Sequence, residues 1–142
     1  MNRIAFAMVI TMTPSISLGQ DTALEWMLLD ELSRSERSLV QLDEIERARD
    51  IRVARAVLSE NGSKGAHDTL FVHHEGGPFC GSGGCLLEVI HIGDGTDPAE
   101  IILQIQTDDV ELGRNYENGM RNLRFGNGSV TWQWNGETYE IR

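Results

Sequence analysis

The spacing of apolar residues divides the chain into two parts. Leu24, Met27, Leu28 and Leu32 recur three and four positions apart, and Leu39, Leu42, Ile45 and Arg49 share a second helical face. Glu44, Glu46, Arg47 and Arg49 decorate its solvent side, and no Pro or Gly occurs between Gln20 and Asn61. This pattern predicts helix over 20–49, broken near the low-propensity residues Ser33, Ser35 and Ser38. From residue 50 the period shortens. Ile51, Val53, Arg55 and Val57 alternate, although Ile51, Ala54 and Leu58 also fit a helical stripe. The strand is favoured for Asp50–Leu58, because the turn-rich run Glu60–Gly65 and the β-rich run Thr69–His73 complete a hairpin.

Further short strands follow. Leu86–Ile92 is an apolar run, Gly93–Pro98 a loop, and Glu100–Gln106 another strand, which Val110–Tyr116 extends or returns. Asn118-Gly119 and Gly126-Asn127-Gly128 are turn signals on either side of the strand Met120–Phe125. Val130, Trp132 and Trp134 then alternate up to Asn135-Gly136, the preferred pair for a two-residue type I′ turn. Such a turn sets Trp134 against Glu137, Trp132 against Tyr139 and Val130 against Ile141. The Trp132–Tyr139 pair would add about 0.5–1 kcal/mol beyond burial. Trp132 reads as core, while Trp134, beside the turn, fits a core or an exposed binding platform equally. The expected fold is therefore α+β: N-terminal helices packed on an antiparallel sheet of five to seven short strands, with 20–49 helical and 50–142 mainly β in one domain.

The N-terminus changes the expected compartment. Arg3 precedes an apolar run, Ile4–Met12, that is too short to span a bilayer, and Thr13–Gly19 is a polar tail with Ser17 and Gly19 at −3 and −1 of a cut. Residues 1–19 thus read as a signal peptide, which places the mature chain in the periplasm or outside the cell. No other stretch reaches the roughly 18 apolar residues of a membrane span. The chain has 22 acidic residues against 12 Lys and Arg, a net charge of −10. That balance argues against nucleic acid and anionic lipid as partners and permits a basic envelope protein, although the charge of most acidic exported domains only keeps them soluble.

Export also decides how the only two cysteines are read. In an oxidising compartment Cys80 and Cys85 imply one disulfide; in a cytosolic chain the pair would imply metal or redox chemistry. They bracket Gly81-Ser82-Gly83-Gly84 and follow Phe79. Closing so small a loop stabilises a fold by only about 2 kcal/mol. Holding the loop in one shape is the stronger reason for it. Three glycines permit positive φ and close backbone approach, and the loop offers N–H groups and one hydroxyl to an anion or a partner's cleft. The competing reading is a stapled turn with no ligand.

Other chemistry is less well specified. His73 and His74 stand seven and six residues before Cys80, and His91 six after Cys85, and they could complete a Cys2His2 zinc site, but neighbouring His73 and His74 face opposite ways on a strand. Cys80-Gly81-Ser82-Gly83-Gly84 approximates a nucleophile elbow with Cys at its first glycine. The acidic groups Asp94, Asp97, Glu100 and Asp108, Asp109, Glu111 lack the spacing of a calcium loop. No cofactor or metal is expected.

Phe79–Cys85 followed by the strand Leu86–Ile90 resembles a group of small exported Gram-negative proteins with an (F/W/Y)-CG(S/T)-(G/A)GC element. Asn118–Leu123 and Trp132–Tyr139 fit two later motifs of that group, so the likeness covers about residues 50–142. It implies location and fold and no activity. The Cys-x4-Cys spacing is also similar to that of Ivy-type periplasmic lysozyme inhibitors, whose disulfide loop plugs an active site. Their loop carries a His and an acid, and this one does not.

The function expected from the sequence is an exported, non-enzymatic binding protein of the cell envelope. Phe79 and Gly81–Gly84 form its binding loop, with an envelope hydrolase as the partner it would inhibit or accompany. A thiol- or zinc-dependent enzyme and a purely structural envelope protein are the alternatives.

Overall fold

The computed structural model describes residues 22–42, 47–62 and 66–142. The expected signal peptide, 1–19, and residues 43–46 of the second expected helix lie outside them. Ten strands follow one another: β1 (Met27–Leu28), β2 (Ile51–Ala56), β3 (Thr69–His74), β4 (Cys80–Gly81), β5 (Gly84–His91), β6 (Glu100–Thr107), β7 (Glu111–Glu117), β8 (Met120–Phe125), β9 (Val130–Trp134) and β10 (Tyr139–Ile141). The first six form one antiparallel sheet in the order β1-β2-β3-β5, with β4 continuing the β3 side of β5 and β6 on its other side. The last four form a second sheet, β7-β8-β9-β10. Among the described residues no helix is long and apolar enough to cross a membrane.

The expected N-terminal helices are absent from the described residues, and the α+β class is corrected to a mostly β fold of two sheets. In their place stand two 3-10 turns, Leu29–Glu31 and Ala48–Asp50, and a single helical turn, α1 (Arg34–Arg37). The serines explain the shortness. Ser33 caps α1, accepting from Glu36 N at 3.2 Å while its own N–H donates to Glu36 Oε2 at 2.9 Å. Ser38 ends it and donates through Oγ to Ser35 O at 2.7 Å. The spacing of Leu24, Met27, Leu28 and Leu32 therefore does not mark one helical stripe. Leu24 packs on the core between the sheets, Met27 and Leu32 on a separate outer cluster, and Leu28 is exposed. Met27 and Leu28 instead pair with Val53 and Arg52.

The N-terminal segment is a third layer. Leu29, Leu32 and Val40 cover Ile51, Val53, Leu70, Val72 and Ile90 on the outer face of the first sheet. The opposite face carries Ala54, Phe71, Leu87, Val89 and Leu103 against Leu112, Leu123, Phe125 and Tyr139 of the second sheet. Strands β2, β3 and β5 are thus buried on both sides, which is why they read as nearly continuous apolar runs. The strand expected over Asp50–Leu58 is β2, paired with β3 from Ile51↔His74 to Ala56↔Thr69.

Asp68 ties the sheets together at one corner. Its carboxylate accepts from Leu58 N at 2.8 Å, Ser59 N at 3.0 Å and Thr69 Oγ1 at 2.8 Å. Leu58 O and Gly119 O then accept from Arg121 N and Glu60 N. Burial would raise the Asp68 pKa, but these donors outweigh it and hold the carboxyl below its ordinary value.

The C-terminal hairpin is shifted by two from its expected register. Trp134 faces Tyr139 and Trp132 faces Ile141, around a four-residue loop, Asn135–Thr138. Asn135 drives the change: its Oδ1 accepts from Glu137 N and Thr138 N, both at 2.9 Å, and its N–H donates to Thr138 O at 3.0 Å. The shift keeps the aromatic face intact. Trp132 meets Phe125 edge-on at 5.6 Å, and Trp134 meets Tyr139 at 5.2 Å.

Candidate functional site: a stapled hairpin beside a cleft

Cys80 and Cys85 are directly opposed on β4 and β5 and bonded to each other. Gly81 faces Gly84, which leaves Ser82-Gly83 as the connection. Gly81, Ser82 and Gly83 are exposed, Phe79, Cys80 and Cys85 are half-buried, and Gly84 is buried. The structure therefore brings the loop residues together as one small hairpin with an exposed tip.

Its glycines have different roles. Only Gly84 uses positive φ, at +105°. A Cβ there would stand 2.3 Å from Thr107 C and 2.6 Å from Asp108 N, so the hairpin lies directly on the start of the β6–β7 connection. At Gly83 the nearest atom to a Cβ would be Gln106 Cβ at 3.7 Å, an ordinary contact. The positive φ expected at Gly81 and Gly83 is not used. Phe79 ends a third 3-10 turn, Gly77–Phe79, and its ring lies 5.6 Å from that of His74. Phe79 thus seats the base of the hairpin rather than its tip.

Under that base lies a buried polar group. His74 Nε2 donates to Glu88 Oε2 at 3.0 Å, and Gln104 Nε2 donates to Glu88 Oε1 at 2.6 Å. The His74 hydrogen bond, opposed by burial and helped by Gln104, lowers the Glu88 pKa. A second group joins the N-terminal layer to the sheet. Arg55 grips Glu36 with two bonds of 2.7 and 2.8 Å, and His67 Nε2 lies 2.7 Å from Glu36 Oε1. The Arg55 hydrogen bond holds the Glu36 carboxyl far below the usual carboxylate range, against the opposing effect of burial.

A cleft of about 350 Å3 opens next to the hairpin, and Thr107 and Asp108, which support Gly84, are among the residues that line it. Arg52, His73 and Leu87 oppose one another across β2, β3 and β5, so they point to the same face. Trp26 forms a wall, its ring centroid 6.0 Å from that of His73. His73 Nε2 donates to Thr107 O at 2.9 Å, which leaves Nδ1 facing Glu75 Oε1 at 3.3 Å. Arg52 Nε is 4.0 Å from Glu75 Oε2, and its Nη1 donates to Arg49 O at 3.4 Å. Asp109 is already engaged, accepting from Gly126 N at 3.1 Å and Asn127 N at 2.6 Å. Among the described residues Asp108 has no such partner.

No protein-family model, curated protein or solved structure matches this chain.

The histidines and cysteines do not converge. His73 and His74 face opposite sides of β3, His91 Nδ1 lies 3.4 Å from Thr69 Oγ1, and both cysteine sulfurs are taken up in one bond. Among the described residues no group of three His, Cys, Asp or Glu side chains is placed to hold a metal ion. Sequence reasoning missed the cleft because Trp26 fell within the helix expected over 20–49 and Arg52 drew no attention. It also missed the Glu36–Arg55 and His74–Glu88 groups. Arg55 gave a signal, since it occupies the apolar series Ile51, Val53, Arg55, and so did Glu88 within Leu86–Ile92.

Proposed function

We propose that the chain is an exported, non-enzymatic binding protein of the cell envelope that engages a basic protein through the Cys80–Cys85 hairpin. One observation carries the reading: the tip, Gly81–Gly83, is exposed and free of bulky side chains, yet it is held by a cross-strand disulfide behind it and by Gly84 lying on the Thr107–Asp108 backbone. A rigid tip loses little conformational entropy on entering a partner's cleft. The net charge of −10 would speed encounter with a basic partner and would make association salt-sensitive. The signal-like N-terminus and the disulfide support a periplasmic or secreted location. The spacing shared with Ivy-type inhibitors supports a lysozyme-like peptidoglycan hydrolase as the partner.

The test is an inhibition assay. Purified chain is titrated into a basic lysozyme acting on peptidoglycan, alongside the Cys80→Ala/Cys85→Ala variant. The wild type should inhibit, and the variant should inhibit at least about tenfold less while keeping its far-UV circular dichroism. Equal inhibition by both would remove the hairpin from the site, and no inhibition or binding by the wild type would remove this class of partner.

A further inference from the structure

The cleft beside the hairpin has chemistry of its own. Its volume, about 350 Å3, is at the small end of the roughly 300–1,000 Å3 that ligand clefts occupy, enough for one or two side chains. Its wall is Trp26, still 37% exposed, and its floor includes Leu87 and Val110. The cleft's arginine is already matched, since Arg52 sits beside Glu75, and His73 Nε2 already donates to the Thr107 carbonyl. Among the described residues Asp108, at the mouth, has no counterpart. What the cleft leaves open is the exposed part of the Trp26 indole, which touches His73 on one side, a carboxylate and an apolar floor. That combination suits a planar cation with a methylene stem, which can lie on an aromatic face and donate to a carboxylate at once.

We propose that this cleft receives an arginine side chain of the protein that the hairpin engages. The proposal rests on the hairpin being the docking element, because Thr107 and Asp108 belong to both: Gly84 lies on their backbone, and they line the cleft. A partner arginine near the hairpin's landing point would fall within reach. Arginine fits better than lysine here, since its guanidinium stacks on Trp26 while its edge reaches Asp108. The excess of acid over the whole chain favours the same charge.

The test uses 15N-labelled chain and two small probes, Nα-acetyl-argininamide and its uncharged isostere Nα-acetyl-citrullinamide. The arginine probe should shift the Trp26 indole and the backbone signals of His73 and Asp108, and the citrulline probe should not. Trp26→Ala and Asp108→Asn should each weaken arginine binding by about two- to fivefold, the worth of one exposed cation–π or charge contact. Absence of shifts at these residues, or equal shifts from both probes, overturns the proposal. The Cys80→Ala/Cys85→Ala variant separates the two readings. If only the hairpin reading fails, the variant and the wild type inhibit the hydrolase equally and the arginine shifts persist. If only the arginine reading fails, the shifts are missing while inhibition still depends on the disulfide.

Discussion

Two neighbouring glycines in one hairpin do different jobs, and a methyl group tells them apart. Gly84→Ala must accept φ near +105° and place a Cβ 2.3 Å from the Thr107 carbonyl carbon. The conformation alone costs about 1–2 kcal/mol, and the overlap with backbone adds to it. Urea denaturation should therefore show a loss of at least about 2 kcal/mol for Gly84→Ala and less than about 0.5 kcal/mol for Gly83→Ala, whose Cβ makes only ordinary contacts with Gln106, at 3.7 Å and beyond. Equal effects would mean that the hairpin does not lie on Thr107. The sequence marked this stretch through its composition but could not rank its glycines, because the ranking depends on a backbone more than twenty residues away. Trp132 and Trp134 show the same limit in milder form. Alternation placed them on one face, while the side-chain hydrogen bonds of Asn135 selected a four-residue loop over the two-residue turn that Asn-Gly favours.

At the scale of elements, the N-terminal segment is held by few regular hydrogen bonds and depends on Leu29, Leu32 and the Glu36–Arg55 pair. Glu36→Gln leaves Arg55 without its anion and should cost about 1.5–3 kcal/mol, measured by urea denaturation, with faster amide exchange at Leu32 and Val40. The pH dependence follows from three depressed carboxyls, Glu36, Asp68 and Glu88. Each binds a proton more readily in the unfolded chain than in the fold. Their stabilisation is therefore complete above the ordinary carboxylate range, about pH 4–5, and fades as pH falls below it. Thermal unfolding should show a melting temperature that drops steeply below about pH 4, and Glu36→Gln should flatten that slope. A slope unchanged by the substitution would assign the acid sensitivity elsewhere. These elements also show why the helices expected from the sequence did not form. The spacing of Leu24, Met27, Leu28 and Leu32 resembles a helical stripe, but Ser33 and Ser38 cap a single turn. A short isolated helix is only marginally stable unless packing favours it. Here packing favours an extended strap over β2, which buries Leu29 and leaves Leu28 in solvent. Strands were easier to read where turn residues bound them: Gly65 and Gly76-Gly77-Pro78 flank β3, and Gly83 and Gly93 flank β5, whereas β2 lacks such a signal before it and also fits a helical stripe.

For the whole molecule, three layers place one small hairpin and one cleft at the same end of the first sheet, within a strongly acidic chain. Binding should then depend on both shape and charge. Raising the salt concentration from 50 to 500 mM should slow association with a basic hydrolase by at least about tenfold and change dissociation far less, as seen by surface plasmon resonance. The most direct test of binding through the hairpin leaves its staple intact and fills only its tip. Ser82→Trp adds bulk at an exposed connection and touches neither Gly84 nor the disulfide. Calorimetric titration of the wild type and this variant against a basic lysozyme should give a measurable affinity for the wild type and at least about a tenfold loss for Ser82→Trp, with melting temperatures within about 2 °C. An affinity unchanged by Ser82→Trp, or no binding by the wild type, would contradict it.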